Sequence, residues 1–249
     1  MSGHSKWANI KYKKAAQDAK RGRVFTKIAR EITVAVKHGG EDPNANSRLR
    51  LVLEKARSVN MPKDNVERAI KKGKGSGNED NYEDVIYEGY GPGGVALLVS
   101  ALTDNNKRTV AEVRRILTRH GGSMGELGCV NWLFEKKGII TVKKDAANEE
   151  VLYNLAIETG ADDISLQEDV FEIIVSPSNI YNMKKVLQDN KINVESSQLS
   201  MRPKSTVHVD KDDARKLLSL LDELDELDDI QDVYSNFDID DAVLEEMRA

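Results

Sequence analysis

Up to residue 73 the apolar residues of this chain recur at helical spacing; beyond a polar, glycine-rich run at 73–81, stretches that alternate or form short blocks are interspersed with helical ones. That change of period constrains the fold more than any other feature, because repeats of 3.6 and of two residues need different elements. In the first part, Phe25, Ile28, Ala29, Ile32, Ala35 and Val36 share one face of a helix expected at 24–37, closed by Gly39-Gly40. A second helix follows Asp42-Pro43 with Leu49, Val52, Leu53, Ala56 and Val59 inward, and ends near Asn60 ahead of Pro62. A third starts at or near Pro62, carries Val66, Ala69 and Ile70, and stops at Gly73. Residues 1–22 hold few large apolar residues, chiefly Trp7, Ile10 and Tyr12, and read as a partly ordered arm with helical potential around 8–20.

Past the linker (75–82), strands are expected at 84–88 and 95–102 around a tight hairpin turn, Gly91-Pro92-Gly93-Gly94. A helix at 106–120 and extended chain at 123–134 follow. Then β-α-β-β-α-β runs over 138–142, 148–159, 164–167, 170–175, 178–190 and 193–201, the split-βαβ, ferredoxin-like order. The remainder supplies a strand (207–209), a Leu-rich helix (212–227) and a strand (230–237). It is too small to bury Leu217, Leu218, Leu220, Leu221 and Leu224 alone. The expected fold class is therefore α+β multidomain. A small helical domain (1–74) precedes a discontinuous α+β domain (83–137 with 203–249), into which the ferredoxin-like α+β unit (138–202) is inserted.

The net charge of −5 hides a split: residues 1–74 hold 19 Lys and Arg against 7 Asp and Glu (+12), and residues 75–249 hold 18 against 35 (−17). So divided a chain points to a nucleic-acid or anionic-surface contact at its basic end. In the arm, Lys6, Lys11, Lys13, Lys14, Lys20, Arg21 and Arg23 are interleaved with Trp7 and Tyr12. Lysine and arginine neutralise phosphates, and an aromatic face stacks on an unpaired base. On the 24–37 helix Arg23, Lys27, Arg30 and Lys37 fall about 120–200° from Phe25, opposite the core stripe. The nucleic-acid-binding set is thus Lys6, Trp7, Lys11, Tyr12, Lys13, Lys14, Lys20, Arg21, Arg23, Lys27, Arg30 and Lys37. An auxiliary stripe, Arg108, Arg115 and Arg119, lies about 140–180° round from Val110 on the 106–120 helix. Its plainer reading is solvent exposure with Glu112 nearby for pairing.

Other function classes find little support. The Gly89–Gly94 run lacks the GK[ST] ending of a phosphate loop and does not open a helix. The four histidines are scattered, and no nucleophile elbow occurs. Cys129, the single cysteine, sits in an apolar context like a buried thiol. The acids of 222–246 are too evenly spread to pick out a metal pair, and read as a solvated face. The expectation is a non-enzyme with no cofactor and no metal. The longest apolar run, Val95–Val99, is far too short for a membrane span. The basic N-terminus lacks the apolar segment of a secretory signal, so a cytoplasmic protein is expected, and separately a monomer.

Several strings carry a specific resemblance: MSGHSKWANIKYKKAA at 1–16, RVFTK at 23–27, NMPKDNV at 60–66, YEGYGPGG at 87–94, TDNNKRT at 103–109, Gly121-Gly122, and the Trp132–Phe134 region. In these the chain resembles the YebC/PmpR family, whose eukaryotic relatives include a mitochondrial translational activator of cytochrome oxidase subunit one. The resemblance implies a non-enzymatic protein with an N-terminal helical domain and two α+β domains. Family members are described as probable transcriptional regulators that bind DNA, and others as translation factors that engage ribosomal or messenger RNA and ease difficult stretches such as proline runs. The partners so implied are DNA, ribosomal or messenger RNA, and the ribosome. A Lys-rich arm with aromatics suits RNA as well as DNA. No helix shows the Asn/Gln/Arg cluster of a major-groove reader, and no dimer seam is evident. A protein-binding scaffold is the third alternative.

Overall fold

The computed structural model describes residues 18–75, 82–167, 169–240 and 243, with side chains from Gly22 onward. The expected contact residues Lys6, Trp7, Lys11, Tyr12, Lys13 and Lys14 lie outside the described residues. Among those described, seven α-helices accompany three sheets, a mixed α+β architecture.

Three helices, α1 (Asp18–Gly39), α2 (Ser47–Ser58) and α3 (Lys63–Lys74), form the first layer. Helix α1 begins before the expected 24, since Ala19, Lys20, Arg21 and Arg23 are good helix formers and outweigh the single Gly22 among them. Ile28, Ile32, Ala35 and Val36 bury its inner face against Leu49, Val52, Ala56 and Ala69. Asn46 ties α1 to α2. Its side-chain oxygen accepts from the Leu49 N–H (3.0 Å), capping α2, while its amide donates to the carbonyls of Ala35 (2.7 Å) and Gly40 (2.8 Å).

Gly73 does not stop α3, as its spacing suggests, but lies within the helix at the α1 crossing. A Cβ there would stand 2.6 Å from the Thr33 carbonyl oxygen and 2.8 Å from Val36 Cβ. Gly73→Ala is therefore expected to push α3 off α1 and cost about 1–3 kcal/mol, as overpacking does. Urea unfolding checks this, and an unchanged midpoint would show that the helices yield freely.

Strands β1 (Glu83–Tyr90) and β2 (Ala96–Thr103) make an antiparallel hairpin pairing Tyr90 with Ala96. The connection holds a turn of 3-10 helix, Pro92–Gly94, with Gly93 and Gly94 at φ +69° and +74°, which side chains resist. After α4 (Asn106–Arg119), the expected extended stretch 123–134 is mostly loop. Only β3 (Ser123–Met124) pairs, with Gly89 and Tyr90, and a 3-10 turn Asn131–Leu133 precedes β4 (Phe134–Lys143). The glycines of 121–128 and the three N–H bonds that Glu88 accepts from this loop hold it out of a ladder.

The first sheet has the order β3-β1-β2-β9, where β9 is Ile230–Ser235. Strand β2 pairs with β9 on its far side, Leu97 opposite Ser235. Val95, Leu97 and Val99 pack with Val113, Ile116 and Leu117 of α4 and with Leu217, Leu220, Leu221 and Leu224 of α7 (Lys211–Asp225) in one core. Ala96 and Leu98 face the other way, onto Val130 and Phe134. Burial on both faces explains the unbroken apolar run at 95–99. Strand β8 (Val207–His208) pairs in parallel with β10 (Phe237–Asp238) beside this core.

Between β4 and β7 (Val194–Pro203) lie α5 (Glu149–Glu158), β5 (Asp163–Gln167), β6 (Val170–Val175) and α6 (Ile180–Asp189). Their sheet has the order β5-β6-β4-β7, antiparallel throughout, with Ile140, Val142, Phe171 and Ile173 packed on Leu152, Met183 and Leu187. This is the split-βαβ arrangement. Helix α2 reaches it, since Glu54 accepts from Ser197 Oγ (3.1 Å) and pairs with Lys184 Nζ (2.8 Å).

Candidate nucleic-acid interface

Of the expected contact residues, Lys20 and Arg21 fall within α1, but their side chains lie outside the described set. Lys37 is exposed in the last turn of α1. Arg23, Lys27 and Arg30, expected on an open face, meet an acidic turn of the same chain instead. Lys27, only 8% exposed, donates through Nζ to the Asp225 carbonyl (2.6 Å) and to Asp225 Oδ1 (3.2 Å). Arg30 Nη1 donates to Asp229 Oδ1 (2.7 Å) and the Asp228 carbonyl (2.9 Å), and its guanidinium lies over the Tyr82 ring. Arg23 pairs with Glu226 at 3.0 Å. A helical wheel separates the core stripe from the rest, but not solvent from a second domain.

The auxiliary stripe meets the same turn. Asp229, 5% exposed, receives Arg30 on Oδ1, while its Oδ2 takes Arg108 Nη2 (2.7 Å), Thr109 Oγ1 (2.7 Å) and Thr103 Oγ1 (3.2 Å). Burial pushes its carboxyl up, but the Arg108, Thr109 and Arg30 bonds outweigh this and hold it below the usual carboxylate range. One turn of helix earlier, Glu223 gathers Arg119 (2.7 Å), Arg115 (3.6 Å) and His120 Nε2 (2.8 Å). The His120 bond, with Arg119 and Arg115 behind it, keeps this carboxyl low against burial. The pairing acid is thus Glu223, from α7, rather than the neighbouring Glu112. Residues 223–229, read from sequence as a solvated acidic face, form a strap joining α1 to α4.

Exposed cations of the described residues cluster in two places, the first beyond the expected set and the second adding Arg114 to the expected Arg115 and Arg119. Helix α3 and the end of α2 carry Arg57, Lys63, Arg68, Lys71, Lys72 and Lys74, all exposed, with Asp64 and Glu67 as the acids of α3. The signal was legible in the cation-rich string KKGK at 71–74. On α4, Arg114, Arg115 and Arg119 line a shallow concavity with Ala111 and Thr118. Cys129 is no activated nucleophile: burial, with Glu88 nearby, pushes its thiol up.

Residues 5–76 match the model of the TACO1/YebC protein N-terminal domain, and residues 82–237 that of the TACO1/YebC second and third domain. The chain belongs to the TACO1/YebC family. Within the TACO1/YebC relatives, it is 53% identical over 246 residues to a probable transcriptional regulatory protein of Pseudothermotoga lettingae, covering 98% of this chain and 97% of that one. A probable transcriptional regulatory protein of Geobacter sulfurreducens is 50% identical, covering 99% of this chain and all of its own length. The crystal structure of a conserved hypothetical protein from Aquifex aeolicus superposes with a TM-score of 0.83 at 47% identity, covering 90% of this chain and 93% of that one. Among the described residues of this TACO1/YebC chain, no helix is long and apolar enough to cross a membrane.

Proposed function

We propose that this TACO1/YebC protein is a non-enzymatic, DNA-binding regulator of transcription acting in the cytoplasm. The observation that carries the reading is charge placement. The strap 223–229 engages Arg23, Lys27 and Arg30, yet the N-terminal domain still displays exposed cations on α2 and α3. These continue the basic character of residues 1–22, where Lys6, Lys11, Lys13 and Lys14 flank Trp7 and Tyr12. The relatives' names as probable transcriptional regulatory proteins support the same reading.

If about six to eight phosphates are neutralised, log K for duplex DNA falls with log salt at a slope of about −5 to −7. Replacing Lys6, Lys11, Lys13 and Lys14 by alanine in the full chain is expected to flatten that slope by about four. Fluorescence anisotropy across a salt series measures it, and a salt-independent affinity would refute the assignment.

A second reading, RNA on the ribosome, is favoured by one observation. The middle of the basic face of α1, at Lys27 and Arg30, is covered by the strap and is closed to a major groove. In-cell crosslinking with sequencing separates the two, through promoter peaks against ribosomal RNA. We also infer that the middle domain is discontinuous, 83–137 with 203–249, and that 138–202 is inserted in it. The shared core of β2, α4 and α7 supports this.

A further inference from the structure

We infer that Trp132 and Tyr90 form a stacking platform for an unpaired base of single-stranded nucleic acid, on the second domain and apart from the basic N-terminal domain. The inference rests on the nucleic-acid reading above. Among the described residues three aromatic side chains are exposed, Tyr90, Trp132 and Tyr181, and the first two meet at one atom. The Cys129 carbonyl accepts from Trp132 Nε1 (3.0 Å) and from Tyr90 Oη (3.3 Å). Both polar ends are thus occupied by one loop carbonyl, and the 65% exposed Trp132 offers solvent its ring rather than a free donor. Such a surface is suited to stacking, which is tolerant of sequence because every base has a π-face.

The platform is fixed before any ligand arrives. The buried Glu88 accepts the N–H groups of Gly128, Val130 and Asn131 at 2.7–2.8 Å, and Val130 is locked in the core with Ala96, Leu98 and Phe134. A rigid ring loses little freedom on binding. Charge indicates which occupant fits. The exposed Lys204 sets its ammonium 2.9 Å from the Trp132 carbonyl oxygen, placing a cation at the same residue, within reach of a nucleotide's phosphate. Leu127, 85% exposed on the same loop, extends the apolar surface. A duplex offers no free base face, so the platform selects single strands.

Trp7 and Trp132 are the only tryptophans, so Trp7→Phe leaves Trp132 as sole reporter. Titrated with a single-stranded oligothymidylate or oligouridylate, this protein is expected to show quenching of Trp132 that follows the anisotropy of the labelled oligonucleotide. A duplex of equal length should bind without quenching. Trp132→Leu, which keeps apolar bulk without a ring, should weaken single-strand binding about 5- to 150-fold while Trp132→Phe retains most of it. Lys204→Ala should reduce the salt slope by about one. Full single-strand affinity in Trp132→Leu, together with no quenching of Trp132 in Trp7→Phe, would overturn the platform and leave the basic-end assignment standing. Absence of binding to every oligonucleotide and duplex would overturn the functional assignment itself.

Discussion

Asp229→Ala is expected to loosen the N-terminal domain from the rest of the molecule and to lower stability by about 2–4 kcal/mol, from the loss of several charge-assisted hydrogen bonds to one buried carboxylate. The substitution removes the one buried carboxylate on which Arg30, Arg108 and the hydroxyls of Thr103 and Thr109 converge, leaving Arg30 the Asp228 carbonyl and Arg108 the exposed Asp104. Surface pairs such as Arg48–Asp84 set the contrast, each worth about 0–1 kcal/mol. Urea unfolding gives the magnitude, and hydrogen exchange along α1 and α4 should show both helices losing protection together. A shift below about 1 kcal/mol would mean that water replaces the carboxylate without difficulty.

The same carboxyl sets an acid limb. Its pKa is depressed in the folded state, so its contribution is present above the unfolded value of about 3.9 and is lost as pH falls through the lower folded value. Wild type should lose stability over that acidic window, and Asp229→Ala should lose less of it.

The second large effect is expected at Glu88. Burial alone would push this carboxyl up, but bonds from Gly128, Val130 and Asn131 hold it below the ordinary range. Glu88→Ala removes the two oxygens that accept all three bonds. Gly128 and Asn131 are exposed and can turn to water, whereas Val130 is fully buried. A cost of about 2–4 kcal/mol follows from the orphaned donors and the loosened apolar seam. Glu88→Gln should recover only part, since its amide group turns an N–H toward N–H donors. In the Trp7→Phe background the emission of Trp132 reports the loop directly. An unchanged spectrum and midpoint would show that the loop holds itself.

How much of this was legible in the sequence follows from the range of each interaction. Periodicity located α2, α4 and the βαββαβ series to within a few residues, because each depends on neighbours a turn or a strand away. The outer face of α1 was invisible for the opposite reason. Lys27 and Asp225 are 198 residues apart, and nothing local marks them as partners. Asp229 looked like one acid among many in DELDELDDI, and only its burial singles it out. Gly73 followed by Lys74 reads as a helix stop, because local patterns do not encode a close crossing of α1. Likewise Glu88 sits in a hairpin string where its backbone role, not its acidity, decides its use.

The place of β2 bears on the order in which the molecule is completed during synthesis. Its neighbour on one side, β1, is adjacent in sequence, but its neighbour on the other is β9. Until residues 230–235 leave the ribosome, β2 shows an unpaired edge and lacks the α7 leucines that cover it. The four-stranded sheet from β4 to β7 needs nothing beyond Pro203 to pair its strands. A nascent chain would therefore finish its later-encoded sheet first and hold its earlier one open, a window in which a chaperone or a protease meets β2 before β9 does.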